Sequence, residues 1–388
     1  MATKRYRGNS IEYIFRRKGL LPKPRSVTFS KEEEKQADEY ALRVDLMLEQ
    51  GIVPPEFIDK AVVDRTIKDV VRDFLLTYKV AEQDKSTYPS IVAAVGSVKM
   101  RDVNFQWAEE WLQKMKREQN LSPSTIRHKV GALARCFDWC CRKTPPELSI
   151  NPLRLFPKGY SQYNEADVIE LEGSGLEAKE DVSRNRRLSA DGEEERAIRA
   201  VMAGEKPRVG FYFKIRYQAA IECMFDIALE TGMRMREIYT LTIDQIDVPQ
   251  RTIFLDRTKN GHTRQVPMTT VCVASILRYM EHVKNQTRGM EGYSFKSGIV
   301  FPWWNGSYDA TYLKQLSARL STMFGRFFVG AGCEDFHFHD LRHEAVSRFY
   351  ERTQMSDVKI MSIVGHMSKK MALRYANLRA STLATELW

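Results

Sequence analysis

The sequence predicts a mainly α-helical chain with small β-sheets, the α+β class, divided into several domains. At 388 residues the chain exceeds the size at which a single hydrophobic core usually stops growing. Its hydrophobic fraction of 43% is large enough to build more than one core. Apolar residues recur at helical spacing in residues 66–79 and 122–142, whereas the strand-like stretches are short. These observations predict helical domains that carry only small sheets.

The N-terminal segment, residues 1–60, is predicted to form a small domain. Residues 1–25 carry eight Lys and Arg against a single Glu. Residues 10–15 and 27–29 have the pattern of short strands, and Ser30 is suited to cap a helix over residues 31–49. A small sheet with one helix results. Two interpretations stay open: an accessory domain that binds a polyanion, or a basic tail before a packing helix.

A helical bundle is predicted for residues 61–160. Helical spacing of apolar residues indicates helices over residues 66–79, 103–118 and 122–142, and Asn151-Pro152 ends the unit. Basic side chains of the last of these helices are candidates to face a polyanionic partner, although an ordinary solvated face explains them equally well. These candidates are Arg127, Lys129, Arg135, Arg142 and Lys143.

A flexible acidic linker is predicted for residues 161–186. Residues 164–182 hold seven acidic residues and one Lys, without apolar periodicity.

The final domain, residues 187–388, is predicted to begin with a helix that Ser189 caps, with Gly192 near its first turn.

Composition limits the class of protein. Lys and Arg number 60 against 50 Asp and Glu, a formal charge of +10, which favours polyanionic partners without identifying one. None of the six cysteines forms a CxxC pair, so reduced thiols are expected. The sequence lacks a long apolar stretch and an apolar N-terminal leader. A cytoplasmic protein without a membrane partner is therefore expected.

Three short motifs in the last domain contain arginine, histidine and tyrosine in an order suited to phosphodiester chemistry. They are Thr231-Gly232-Met233-Arg234, His339-Asp340-Leu341-Arg342-His343, and Gly365-His366 followed nine positions later by Tyr375. An arginine is always charged and can donate two parallel hydrogen bonds to one phosphate. Two arginines from distant parts of the chain can therefore neutralise the charge that develops when a phenol attacks phosphorus.

Other residues compete for these roles. Arg236 is the alternative to Arg234, and Tyr350 and Tyr312 are the alternatives to Tyr375, although neither tyrosine follows a Gly-His pair. His339 lies three residues before Arg342, on the same face of a predicted helix, and could accept the phenol proton.

In order and spacing these motifs resemble those of the tyrosine recombinases, the phage-integrase family, over residues 65–388. The resemblance implies six catalytic residues: Arg234, Lys259, His339, Arg342, His366 and Tyr375. Lys259 precedes the Asn260-Gly261 turn of a predicted hairpin and would protonate the leaving 5′-oxygen. His366 would hydrogen-bond the phosphate.

Four further residues have supporting roles in this interpretation. Glu237 would hold Arg234 in orientation, and His343 would support the site or simply pack. Arg257 and Arg264, on either side of the hairpin turn, are weaker candidates for the role of Lys259 and for DNA contact.

The resemblance also implies an architecture and partners. Residues 61–160 would be the core-binding domain, residues 187–388 a mixed α/β catalytic domain, and residues 1–60 an arm-type DNA-binding domain. The partner would be double-stranded DNA, bound by four protomers that exchange strands through a Holliday junction. The apolar tail, residues 376–388, would dock on a neighbouring protomer or on its own domain. A host DNA-bending protein and an excision factor would be further partners, the protein would lie with the nucleoid, and no cofactor is expected.

Integration and excision of a mobile element is the favoured function. The extra basic N-terminal domain, which compact chromosome-dimer resolvases lack, resembles the arm-site-binding domain of phage or integrative-element integrases. A dimer resolvase, a transposon recombinase, a type IB topoisomerase and a catalytically silent DNA-binding protein of the same fold are alternatives. A metal site is disfavoured, although Cys333, His337, His339 and His343 lie within eleven residues, because no CxxC or HExxH pattern accompanies them.

Overall fold

The computed structural model describes residues 2–58, 64–144, 146–181, 184, 186–210, 212, 214–256 and 263–365. The chain divides into two compact units, Met1–Ser183 and Arg184–Trp388. Helices dominate both units, and each contains one three-stranded antiparallel sheet. The predicted α+β class is therefore confirmed. In the described residues, no helix is both long and apolar enough to cross a bilayer.

The first unit begins with a sheet of β1 (Thr3–Arg7), β2 (Ser10–Phe15) and β3 (Arg25–Ser30), in that spatial order. Alternate apolar residues of β2 face helix α1 (Glu34–Glu49) and form a core with it. Ser30 caps the helical segment as expected, through a single 3₁₀ turn that leads into α1. The sequence did not predict β1, because its Thr-Lys-Arg-Tyr-Arg residues lack apolar alternation.

The bundle that follows contains α2 (Ile67–Thr77), α3 (Glu82–Val95), α4 (Phe105–Gln113) and α5 (Pro123–Cys141). A π-helical turn, Lys114–Glu118, continues α4. Side chains of Thr66, Asn104 and Ser122 accept backbone hydrogen bonds and so begin three of these helices. Helix α3 was not predicted, because its polar first half and internal Pro89 weaken the helical pattern.

Part of the predicted flexible linker is ordered, which corrects that prediction. Residues Glu165–Gly173 form helix α6, begun by a capping box between Asn164 and Asp167. The Asp167 carboxylate is buried and accepts hydrogen bonds from Lys116 at 3.0 Å and from Arg117 at 2.8 Å. Acidic composition suggested a solvated segment, but these cations lie about fifty positions away and their proximity is not visible in the sequence.

The second unit surrounds one long apolar helix. Its elements in chain order are α7 (Glu193–Met202), α8 (Gln218–Thr231), α9 (Met235–Tyr239), β4 (Ile246–Asp247), β5 (Thr252–Leu255), β6 (Arg264–Pro267), α10 (Thr270–Asn285), α11 (Ala310–Gly330), α12 (Phe338–Arg352) and α13 (Asp357–Val364). Helix α8 is buried along most of its length and packs against α10 and α12. The three strands pair in sequence order, and β5 with β6 forms the base of the predicted hairpin.

The start of α7 differs in detail from the prediction. Gly192, at φ +74°, is the residue immediately before the helix, and its left-handed conformation favours glycine. Ser189 still contributes, because its hydroxyl accepts from the Glu194 N–H at 3.1 Å while the Glu194 carboxylate accepts from the Ser189 N–H at 2.8 Å. Ser189 and Glu194 therefore form a reciprocal pair like that of a capping box, although Ser189 lies three residues before the cap residue Gly192.

Candidate active site

Arg234 lies at the sharp turn between α8 and α9. Gly232 ends α8 at φ +64°, and a Cβ atom there would lie 3.5 Å from side-chain atoms of both Ala345 and Val364. The residue therefore provides a left-handed turn and a close approach to the neighbouring helices. The chain then places Arg234 immediately before α9, as the sequence predicts.

Glu237 holds Arg234 through two hydrogen bonds. Its carboxylate accepts from the Arg234 backbone N–H at 2.9 Å and from Nη1 at 2.9 Å. The Glu237 side chain is 5% exposed, whereas that of Arg234 is 26% exposed and remains accessible. Burial by itself raises the pKa of Glu237, but the hydrogen bonds and charges of Arg264 and Arg234 outweigh it and lower that pKa. The carboxylate is therefore charged at neutral pH.

Arg342 projects from α12 towards the same turn. Its Nη1 donates to the carbonyl oxygen of Gly232, and its Nη2 donates to that of Val364 at 2.6 Å. Arg234 reaches the same segment, with Nη2 3.4 Å from the carbonyl oxygen of Gly365. The two guanidinium groups therefore meet at consecutive residues of one backbone segment, the end of α13.

His339 lies one helical turn before Arg342 on α12. Desolvation by the surrounding protein, followed by the charges of His343 and Arg342, lowers the pKa of His339 below its usual value, although Asp340 opposes the shift. The side chain nevertheless remains accessible to solvent. A neutral, accessible imidazole can accept a proton at pH 7. His343 is buried, and its ring is perpendicular to that of His339 at 5.4 Å between centroids, so it packs beneath the site.

Arg264 does not have the exposed position expected of a DNA contact. Its side chain is 10% exposed and donates to both oxygens of Glu237, at 3.1 and 2.8 Å. Alternation along β6 turns Arg264 and Val266 inward, whereas Gln265 is exposed. The structure therefore assigns the Arg264 fork to Glu237, and contact of Arg264 with DNA stays a prediction.

Several predicted residues lie outside the described part of the chain. They are Arg257, Lys259, His366, Tyr375 and the tail over residues 376–388. Their roles stay predictions. The described chain reaches Gly365, whose carbonyl oxygen faces Arg234, so it ends beside the two arginines.

The competing tyrosines are both engaged in the fold. Tyr350 is 1% exposed and belongs to the apolar core. Tyr312 is partly buried, and its hydroxyl donates to the carbonyl oxygen of Trp303 at 3.0 Å. Arg236, the alternative to Arg234, is exposed on α9. Within the described ranges, no three His, Cys, Asp or Glu side chains lie close enough together to hold a metal ion.

The basic candidates of the bundle are mostly paired with acidic residues. Arg127 binds Asp181 through two hydrogen bonds of 2.8 Å, and Arg135 donates to Asp84 at 2.6 Å. Lys143 donates to Glu147 and lies 3.7 Å from the centroid of the Trp139 ring. The partners of both arginines lie more than fifty positions away in the sequence. These arginines remain largely exposed, so a phosphate can compete for them.

The other two candidates of the bundle differ in exposure. Burial lowers the pKa of Lys129, which is only partly exposed, whereas Arg142 is exposed at the end of α5. Arg142 is therefore the more accessible of the two for a phosphate.

One contact beneath the site was missed by the sequence analysis. Asp340 is fully buried, and it accepts three hydrogen bonds of 2.7 to 2.9 Å from Arg184 and one from the His337 backbone N–H at 2.7 Å. An aspartate between His339 and Arg342 was visible in the motif, but its partner lies 156 positions earlier. The pair anchors the first turn of α12.

Comparison with known proteins finds relatives of similar sequence. Residues 212–382 match the model of the phage integrase family. A shufflon-specific DNA recombinase of Escherichia coli is 33% identical over 189 residues, which are 49% of this chain and 42% of that protein. A putative integrase/recombinase of Haemophilus influenzae is 30% identical over 141 residues, 36% of this chain and 38% of that protein. The matched segments thus span less than half of these curated relatives.

Two solved structures share the fold. The Tn1549 transposon integrase in complex with circular intermediate DNA is 20% identical, with a TM-score of 0.55 over 83% of this chain and 100% of that one. A lambda integrase dimer bound to a COC′ core site is 15% identical, with a TM-score of 0.53 over 97% and 95%. The segment that matches the phage integrase family, residues 212–382, carries both arginines and the histidine between them.

Proposed function

We propose that this protein cuts and rejoins DNA at specific sites through a covalent 3′-phosphotyrosine intermediate. The observation that carries the proposal is the convergence of Arg234 and Arg342 on Val364 and Gly365, the residues immediately before His366. Two guanidinium groups that meet at one backbone segment can receive a phosphate from two sides. The family match and the recombinase relatives support this assignment.

Each residue has a defined step in the proposed reaction. The Tyr375 oxygen attacks phosphorus and forms the new P–O bond, while its proton passes to the neutral imidazole of His339. The bond to the 5′-oxygen breaks, and Lys259 gives that oxygen a proton. Arg234, Arg342 and His366 stabilise the charge on the non-bridging oxygens. A 5′-hydroxyl of the partner strand then reverses these steps, and no external energy source is needed because the phosphotyrosine keeps the bond energy.

The proposed biological role is integration and excision of a mobile element, carried out by four protomers on two DNA duplexes. The likeness to a transposon integrase and to lambda integrase extends over most of the chain and supports a multidomain DNA-binding enzyme. A stretch that covers 49% of the chain instead aligns with a recombinase named for a shufflon, so a DNA element of that type is the second candidate substrate. In either role the protein would act at the nucleoid, and a host DNA-bending protein and an excision factor would be further partners.

The N-terminal domain is proposed to bind accessory, arm-type DNA. Residues Arg5 and Arg7 lie on the sheet face opposite Ile11, Tyr13 and Phe15, and both are exposed. Such a basic face suits phosphate contacts.

A covalent-trapping experiment tests the proposal. The full-length protein first selects its site from random duplex DNA, and a nicked duplex built on that site then traps the cleaved state. We expect a protein–DNA adduct that survives denaturing electrophoresis with the wild type and with Tyr312→Phe, but not with Tyr375→Phe. No adduct with the wild type would favour a catalytically silent DNA-binding protein, and an adduct with Tyr375→Phe would assign another nucleophile. Relaxation of supercoils without strand exchange would indicate a topoisomerase.

A further inference from the structure

Arg264 and Arg234 share one carboxylate. Arg264 donates from Nη1 to Glu237 Oε1 at 3.1 Å and from Nη2 to Oε2 at 2.8 Å. The same two oxygens accept from the Nη1 and backbone N–H of Arg234. Glu237 is 5% exposed, so this chain of two guanidinium groups and one carboxylate is largely shielded from water. A carboxylate held at both oxygens by a guanidinium fork has a fixed plane.

Arg264 also packs against the backbone of Gly365. A Cβ atom at Gly365 would lie 2.6 Å from Arg264 Nη1 and 2.7 Å from its Cζ, so only a glycine leaves room for the guanidinium. The Gly365 carbonyl oxygen faces Arg234 Nη2 at 3.4 Å. Arg264 is therefore in contact with the carboxylate that orients Arg234 and with the residue before His366.

The third connection runs to the hairpin. Arg264 is the first residue of β6 and pairs with Leu255 at the end of β5, and Lys259 lies in the sequence between these two residues. A displacement of the hairpin base moves Arg264, and with it the carboxylate that holds Arg234. One side chain thus joins the hairpin strand, the phosphate-binding arginine and the end of α13.

Stability alone does not account for an arginine at this position. The Arg264 Nε–H is buried and finds no acceptor among the residues that the structure describes. A buried donor without an acceptor lowers stability. The geometry of the fork, in contrast, has a clear use in fixing Glu237.

We propose that Arg264 is a positioning residue, which holds Glu237 and, through it, the guanidinium of Arg234 in the orientation that receives the scissile phosphate. The inference rests on the proposed function. Arg264 itself touches no substrate in this role. Among the residues that the structure describes, its removal leaves Glu237 bound to Arg234 alone, so the shared plane is no longer fixed. The guanidinium of Arg234 then loses its alignment with the phosphate during cleavage.

Single-turnover cleavage of the nicked duplex, with full-length protein at saturating concentration, tests this role. We expect Arg264→Gln to slow cleavage about 10- to 100-fold, the size of effect that small misplacements at a reacting centre produce. The dissociation constant for the duplex and its salt dependence should stay at the wild-type values. Arg264→Lys keeps the charge without the fork and should recover only part of the rate. Arg288→Gln, which breaks a two-bond pair with Glu222 elsewhere in the unit, is the matched control and should cleave normally.

A double variant tests whether Arg264 acts through Glu237. Adding Arg264→Gln to Glu237→Gln should slow cleavage little beyond the slower single variant, because both changes break one chain of contacts. Multiplicative effects would overturn the inference, as would a wild-type rate for Arg264→Gln. Direct DNA contact would instead weaken binding and reduce the salt slope by about 1. Misfolding would lower the amplitude of adduct formation and leave the rate constant unchanged, which also contradicts positioning. Failure of the wild type to form any adduct would reject the proposed function itself.

Discussion

The Arg342 guanidinium donates a 2.6 Å hydrogen bond to the carbonyl oxygen of Val364, 22 residues later in the chain. This bond ties the arginine of α12 to the end of α13, two residues before His366. Since Arg342 also donates to Gly232, it fixes the distance between the turn that carries Arg234 and the segment that leads to Tyr375. The relative placement of Arg234 and Arg342 therefore depends on the fork geometry of arginine as well as on its charge.

Arg342→Lys should show this dependence. A lysine keeps the positive charge but cannot bond to two carbonyl oxygens in a fixed fork, so cleavage should slow about 100-fold or more. Single-turnover cleavage measures the effect, and the melting temperature shows whether the fold survives. Arg208→Lys, at an exposed pair with Glu193, is the control and should behave as wild type. Normal cleavage by Arg342→Lys would mean that charge alone suffices.

Gly365→Ala should impair both stability and cleavage. At φ +67° an alanine is strained, at a cost of about 1–2 kcal/mol, and its Cβ would overlap the Arg264 guanidinium. Gly298→Ala is a matched control, because Gly298 has φ +73° and nothing lies within 4 Å of its added Cβ. Urea unfolding should show a loss of stability in both variants, with slower cleavage only in Gly365→Ala. Equal cleavage rates in the two variants would show that displacement of the Arg264 guanidinium does not affect the site.

The pH dependence of cleavage should reflect His339. Its pKa in the folded protein is lowered, so the imidazole stays neutral, and able to accept a proton, to a lower pH than a free histidine near 6.5. The acid limb of the single-turnover rate should therefore lie below about pH 6.5. His339→Gln should slow cleavage about 100-fold at pH 7 and abolish this limb. A limb that persists in the variant would assign it to another group.

The same shift predicts a pH effect on stability. Between the folded pKa and about 6.5 the unfolded chain binds more protons at this site than the folded chain, so stability falls as the pH is lowered through that window. His339→Gln should be less sensitive there. Urea unfolding at a series of pH values measures the difference.

Much of this site could be predicted from local sequence. The turn at Gly232, the cap position of Arg234, the contact with Glu237 and the helical spacing of His339 and Arg342 all follow from short-range pattern and are present in the structure. These features lie within a few residues of one another, where spacing and turn chemistry determine the geometry.

Pairings across long sequence distances could not be predicted in this way. Arg264 was expected to contact DNA, yet it binds Glu237 from 27 positions away. The acidic segment around Asp167 was expected to be a flexible linker, yet Arg117 and Lys116 order part of it. In both cases the charge was correctly recognised, but the partner depends on the tertiary fold, which composition does not reveal.

Removal of residues 1–58 should affect assembly more than chemistry. The remaining bundle keeps its own core, so cleavage of the short nicked duplex should be within a few-fold of wild type. Recombination between long attachment DNAs should fall, because the basic sheet face no longer contributes phosphate contacts. Gel-shift and recombination assays on both DNA lengths measure the effect. Equal recombination by the truncated protein would reject the accessory DNA-binding role and favour the simpler interpretation of a packing domain.

Arg184→Gln should destabilise the second unit more than loss of an exposed ion pair does. It removes three hydrogen bonds from Asp340, which has no exposed surface, and leaves that carboxylate buried beneath the catalytic helix. We expect the free energy of unfolding to fall by about 2–4 kcal/mol. This is less than for a fully buried ion pair, because the Arg184 side chain is 41% exposed.

Combining Asp340→Asn with Arg184→Gln tests whether Arg184 stabilises the unit through its contact with Asp340. In the double variant an amide replaces the charge and can still accept from the His337 N–H, so its loss of stability should be smaller than the sum of the two single losses. Urea unfolding of the four proteins gives the coupling free energy. If the two losses simply add, Arg184 acts elsewhere in the fold. If stability recovers in the double variant and cleavage does not, the charge of Asp340 has a further part in holding His339 and Arg342 in register, beyond neutralising Arg184.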